Sequence, residues 1–178
     1  MSGATISVTQ SMLYTALRAF LLGLVTCPVM QSQQNRAAMP TGDFILMTAL
    51  STPALSTDKT AYIPGQSNPG NETHARSTQW NVQLDCYGPD AADMAALIAT
   101  TFKTDYAAAQ FALAAIEIQP LYANDPHQMT IVDSEQQYEP RWIVELAMQY
   151  NPIVTLPQDY AMSLAVIPAE VDAVFPPE

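Results

Sequence analysis

Charge is scarce in this sequence. Only 13% of its 178 residues are charged, where soluble domains carry roughly 25%. The shortage is sharpest in bases, with six Lys and Arg against 17 Asp and Glu and a formal charge of −11 at pH 7. Those bases, Arg18, Arg36, Lys59, Arg76, Lys103 and Arg141, never fall in a run. A clustered footprint for gripping phosphates is therefore excluded, and with it tight binding to nucleic acid. DNA nearby is not excluded, because a conduit through which DNA slides benefits from walls that repel its backbone.

Cysteine is nearly missing. Cys27 and Cys86 stand far apart with no C-x-x-C around them, a usage that suits two reduced thiols in a cytosolic protein. The six glycines form no G-x-G-x-x-G or G-x-x-x-x-G-K cradle, so no phosphate-binding loop is read. His74 and His127 lie in polar stretches, and neither has a His, Cys or acid at helical spacing, which argues against zinc. Asn124-Asp125-Pro126-His127 sets an acid near a histidine, but Asp before Pro in a polar stretch is turn chemistry, and no nucleophile elbow accompanies it. The nearest paired carboxylates, Glu139 with Glu145 and Asp90 with Asp93, are read as solvated faces. Trp80 and Trp142 suit strand cores better than base-stacking platforms. No catalytic, cofactor-binding or metal-binding residue is assigned.

Long apolar runs are missing as well. The stretch AFLLGLVTC at 19–27 is far short of the ~20 residues of a membrane span. It looks faintly like the hydrophobic core of a secretion signal ending at a lipid-acceptor cysteine. Arg18 is the only base before it, so the buried face of a first helix is the preferred reading.

What the sequence does have is the material of a core. Nearly half of it, 49%, is apolar, which excludes disorder over most of the chain, and the length suits one domain. That domain is taken as 1–157, with 51–73 as an arm and 158–178 as a tail. Met12, Leu13, Ala16, Leu17, Phe20, Leu21 and Leu24 recur at three- and four-residue spacing and predict a helix over 8–23, capped by Ser7 or Thr9. A short strand is expected at 29–33. FILMTAL at 44–50 is apolar on both faces, which predicts a central strand covered on both sides. The polar stretch 51–73 holds Pro53, Pro64, Pro69, Gly65 and Gly70 and reads as an arm with little part in its own subunit's core.

Alternation at 79–87 puts Trp80, Val82, Leu84 and Cys86 on one face of a strand. Asp90 should cap a helix at 91–102 that buries Met94, Leu97, Ile98 and Phe102, with a second helix at 105–113. A short strand at 116–121 should stop at Pro120. A last strand at 141–150 points Trp142, Val144, Leu146, Met148 and Tyr150 inward and Glu145 toward solvent or a partner.

Several segments taken together resemble one family: Gln33-Gln34-Asn35-Arg36 followed by Met39-Pro40, FILMT at 44–48, VQLDCYGPDAAD at 82–93, PLYANDP at 120–126, EQQYEPRW at 135–142 and QYNP at 149–152. Over about 11–159 the chain is similar to the neck terminator, or tail-terminator-like, proteins of contractile-tailed phages and prophages. The resemblance implies an α/β subunit of the α+β type with a mixed, largely antiparallel sheet of about four to five strands. An N-terminal helix and a central helical pair would pack on that sheet, beside a long hairpin arm and an extended C-terminal tail.

It further implies a structural virion protein and no enzyme, a subunit of a homo-oligomeric, hexameric ring. The ring would end the tail tube and join tail to head, with tube and sheath proteins below and head-completion proteins above. DNA would only pass through the lumen, and neither cofactor nor membrane is implied. The site is the tail neck of the virion, reached from the host cytoplasm during assembly. Contacts between neighbours would come from the arm and tail, and Gln34, Arg36, Lys59, Tyr62, Ile63, Gln66 and Glu145 are the suspected assembly contacts. Two alternatives stand: another head-completion or tail-tube protein, and a small-molecule-binding or enzymatic domain whose site forms between subunits.

Overall fold

A computed structural model describes residues 3–35, 38–66, 68–132, 138–161, 163 and 165. The chain opens with the short strand β1 (Thr5–Ile6) and helix α1 (Gln10–Leu22). Thr9 caps the helix by accepting the Met12 N–H at 3.4 Å, which satisfies one of the orphan donors at a helix start. The predicted stripe packs inward through Leu13, Ala16, Leu17, Phe20 and Leu21, while Met12 stays 37% exposed.

Strands β2 (Val29–Gln31) and β3 (Phe44–Ser51) follow, paired in parallel. Next come the hairpin strands β4 (Lys59–Ile63) and β5 (Gly70–Ala75), then β6 (Thr78–Tyr87). Helices α2 (Ala91–Thr101) and α3 (Asp105–Ala112) lead to β7 (Ile118–Ala123). The chain continues through β8 (His127–Gln128), β9 (Ile131–Val132), β10 (Tyr138–Glu139), β11 (Arg141–Tyr150) and β12 (Ile153–Gln158).

The main sheet has the order β2-β3-β6-β11-β7, with β8 also on β11. Apart from the β2–β3 pair its ladders are antiparallel. Its core face carries Ile45, Met47, Trp80, Val82, Leu84, Cys86, Val144, Leu146 and Met148, buried together with residues of all three helices. The phase read from alternation in β6 and β11 is therefore the observed one. At the join of the helices, Phe20 stacks on Phe111 at 5.0 Å and meets Phe102 edge-on at 5.8 Å, a geometry that adds to simple burial.

Three local expectations change. Leu97 is 44% exposed; α2 instead turns Ala91, Ala95 and Ala99 inward beside Met94 and Ile98. Asp90 occupies the cap position of α2 without a side-chain cap bond, and its own N–H donates to Asp43 Oδ1 at 3.1 Å. Gly88 takes φ +101° in the turn before it, and a Cβ there would strike Asp43. Pro120 does not stop β7 but lies inside it, where the register shifts opposite Ala147 and Met148. A proline is tolerated there because β7 is an edge strand.

Among the described residues no helix packs on the opposite face of the main sheet. Phe44 stacks on Tyr87 with centroids 4.6 Å apart, while Leu46 is only half-buried, so the double-sided cover expected for FILMTAL is partial. β3 does lie inside the sheet, between β2 and β6.

The arm differs most from expectation. β4 and β5 form a hairpin, but β5 pairs along its length with β12, and β12 pairs with β1, giving a second sheet of order β1-β12-β5-β4. β5 leads through Arg76-Ser77 into β6, and β11 leads through Asn151-Pro152 into β12. Two neighbouring strands of the main sheet thus continue as two neighbouring strands of the small one. The base is pinned by Gln79 N–H to Pro53 O at 2.9 Å and Leu55 N–H to Ser77 O at 2.8 Å.

Both cysteines are free. Cys86 is fully buried on the core face, and its burial, with Cys27 and Asp85 nearby, pushes its thiol from an ordinary 9.0 up to about 12. Cys27 is half-exposed with Sγ 3.5 Å from Met94 Sδ. At about pH 8 only Cys27 should alkylate in the folded chain, Cys86 reacting on unfolding. Equal labelling of both would contradict the strand phase. Because the folded Cys86 value lies above the unfolded one, its contribution to stability is complete below 9.0 and drains away as pH rises toward 12, which denaturation at successive alkaline pH values checks.

Candidate functional site

The residues singled out in the sequence fall on three surfaces. Lys59, Tyr62 and Ile63 lie on β4, every residue of which is exposed, and Gln66 follows in the hairpin turn, also exposed. Tyr62 is held by its surroundings. Its ring lies over Gly70 on β5, where a Cβ would collide with it, and meets the Tyr160 ring edge-on at 6.1 Å. Glycine at 70 is thus what lets the tyrosine lie flat across the hairpin. Ile63, 54% exposed, has no such cover.

Tyr160 is the residue that sequence reasoning missed. Its hydroxyl donates to Gly65 O at 3.1 Å, and its backbone N–H and C=O bond the Asn68 side chain at 3.2 and 3.3 Å. The chain beyond β12 is thereby tied to the hairpin end. The only sequence signal was a lone aromatic in an otherwise weakly patterned stretch.

Gln34 is exposed in the loop after β2, beside a shallow cavity lined by Tyr14, Thr15 and Arg18. Arg36 lies outside the described residues, as do 135–137 of the EQQYEPRW segment and most of the tail beyond Tyr160. Glu145 sits half-buried on the helix-free face of the main sheet, accepting from Asn124 Nδ2 at 3.1 Å. Amides surround it: Gln79 donates to Asn81 at 2.6 Å and to the Tyr122 hydroxyl at 3.3 Å, and Asn81 donates to Ser51 at 2.9 Å.

One buried charge on this face has its counter-charge in place. Asp85, 4% exposed, accepts from Arg141 Nε and Nη2 at 3.0 and 2.7 Å and from Gln83 at 2.8 Å. The Arg141 guanidinium also lies 5.8 Å from the Tyr87 ring centroid. The paired fork fixes geometry as well as charge. His74 Nδ1 lies 3.2 Å from the Thr60 hydroxyl and its Nε2 3.6 Å from Glu72. Among the described residues no group of three or more His, Cys, Asp and Glu could hold a metal ion, and no helix is long and apolar enough to cross a membrane.

These surfaces combine an exposed hairpin strand, a group of amides and one buried ion pair. The family model of phage neck terminator proteins matches residues 11–172. The chain belongs to that family. Comparison with curated proteins finds no match. Members of the neck terminator family are structural proteins of the phage tail neck, and the observed α+β architecture is the one expected from the resemblance.

Proposed function

We propose that the chain is the repeating subunit of a hexameric ring at the tail neck, a ring that ends the growing tube and receives the filled head. The observation that carries this reading is the small sheet. β4, its outermost strand, is exposed along its whole length and offers a neighbour an unpaired edge among the described residues. Exposed edges template strand addition. Lys59, Tyr62, Ile63 and Gln66 are the contacts assigned to this junction. Gln34, Glu145 and, from sequence alone, Arg36 are assigned to flanking surfaces that meet tube, sheath or head-completion proteins.

With −11 on each copy, acids turned toward the lumen would limit repulsion between subunits and let DNA pass without adhering. The domain of 1–157 would supply the ring body and 158–178 a reach onto neighbours. Assembly would take place in the host cytoplasm.

The test is Ile63→Asp. In the isolated chain it should shift stability by no more than about 0.5 kcal/mol, as for an exposed position. In a phage whose only copy carries it, electron microscopy should show tails that are overlong or lack heads, with few infectious particles. Normal yield would remove the hairpin from the interface, and a complete lack of tails would favour a tail-tube role instead.

A further inference from the structure

Between α1 and α3 runs an apolar groove of about 370 Å³. Met12, Ala16, Ala19, Phe20, Leu113 and Ala114 are among its lining residues, and among the described residues no charged side chain is. Phe20 is buried, whereas Leu113 at the rim is 79% exposed. The small side chains of both helices leave a channel wide enough for a partner's side chains, in a chain with little charge to form ion pairs. What fills it must be apolar and must be available wherever the protein is.

The chain's own C-terminal segment has that chemistry. In the sequence beyond Ala165, Ile167, Val171, Val174 and Phe175 recur at the spacing by which a segment lays anchors into a groove between helices. Glu170 and Asp172 fall between them, so both acids can remain in water. The departure point matters too. β12 starts at Ile153, whose N–H bonds the Ser7 hydroxyl close to the start of α1, and runs away to Gln158, after which Tyr160 is tied to the hairpin end. At strand rise this carries the chain about 20 Å away before the tail begins, toward the edge where a neighbour would stand.

We propose that the α1–α3 groove receives residues 166–175 of a neighbouring copy, so that each subunit is clasped by the tail of the next. This rests on the ring reading only in that the partner is a second copy. The groove would be an acceptor, the tail a donor, and the two complete one another only between chains.

Two singly substituted full-length chains test it, one with Leu113→Cys and one with Val174→Cys, both with Cys27→Ala. Mixed and oxidised, they should give a disulfide-linked dimer. The rate should fall about tenfold when Phe175→Ser is added to the donor or Ala19→Trp to the acceptor, since either removes the burial of one large apolar side chain. Ala19 is exposed, so the tryptophan fills the groove without entering the core. A crosslink found only within a doubly substituted monomer would overturn the proposal by showing the tail in its own groove. No crosslink in either format would overturn it by leaving the groove without this occupant. Native mass measurement on the same samples separates the two readings. Hexamers without the crosslink sink the clasp alone, and crosslinked chains that never close into rings sink the ring alone.

Discussion

Trp80→Ala is expected to cost about 3–5 kcal/mol, a large part of the 5–15 kcal/mol that holds a typical domain together. Trp80 is fully buried on β6, opposite Met148 of β11, with the Tyr14 ring edge-on at 5.2 Å. Tyr14 in turn accepts the Ala49 N–H at 2.8 Å, so the indole props a contact joining α1 to β3. Urea denaturation should show the midpoint falling at unchanged slope. Two companions sharpen the test. The Trp80 Nε1 has no acceptor among the described residues, so Trp80→Phe loses no hydrogen bond and should cost less than half as much. Trp142 faces the same core but is only half-buried, and Trp142→Ala should cost about 1–2 kcal/mol. Equal losses at Trp80 and Trp142 would show that burial is misjudged at one of them.

Arg141→Ala should destabilise by about 3 kcal/mol, because it strands a buried carboxylate. Asp85 is nearly solvent-free and its Oδ1 takes both arms of the Arg141 fork. Removing the guanidinium leaves Gln83 as the remaining side-chain donor to that oxygen among the described residues. Asp85→Asn in the same chain should recover much of the loss, since the charge that needed a partner is gone. A double-mutant cycle measures this directly, and additivity within about 0.3 kcal/mol would mean that the pair is not coupled. Arg141→Lys should fall between, keeping the charge while losing the two-pronged geometry.

Much of the main sheet could be read from residue order, because β6 and β11 alternate and alternation has one physical meaning when a single face is buried. α1 was legible for the same reason at helical period. Leu97 was misplaced because α2 approaches the core through alanines. Ala91, Ala95 and Ala99 are buried, and a stripe of small side chains carries little hydrophobic signal although it lets the helix pack closely. Pro120 reads as a stop in a central strand and as a passenger in an edge strand, and order along the chain does not say which strands become edges. The pairing of β5 with β12 joins residues about 80 positions apart across two polar, proline-bearing stretches, where nothing local announces a partner. Lys59, Tyr62, Ile63 and Gln66, singled out from one polar stretch, fall together on one exposed hairpin. Tyr160, which braces that hairpin, was not singled out.

Pro120 also bears on how separate chains meet at their sheet edges. A strand with a proline and a register shift against its neighbour lacks a backbone donor and an even pleat, and at the other end of the main sheet β2 is only three residues long. Both margins are therefore poor templates for a further strand, which disfavours open-ended growth through the main sheet. Among the described residues the edge left open for strand addition is chiefly β4 of the small sheet, so association between free chains is expected to start there.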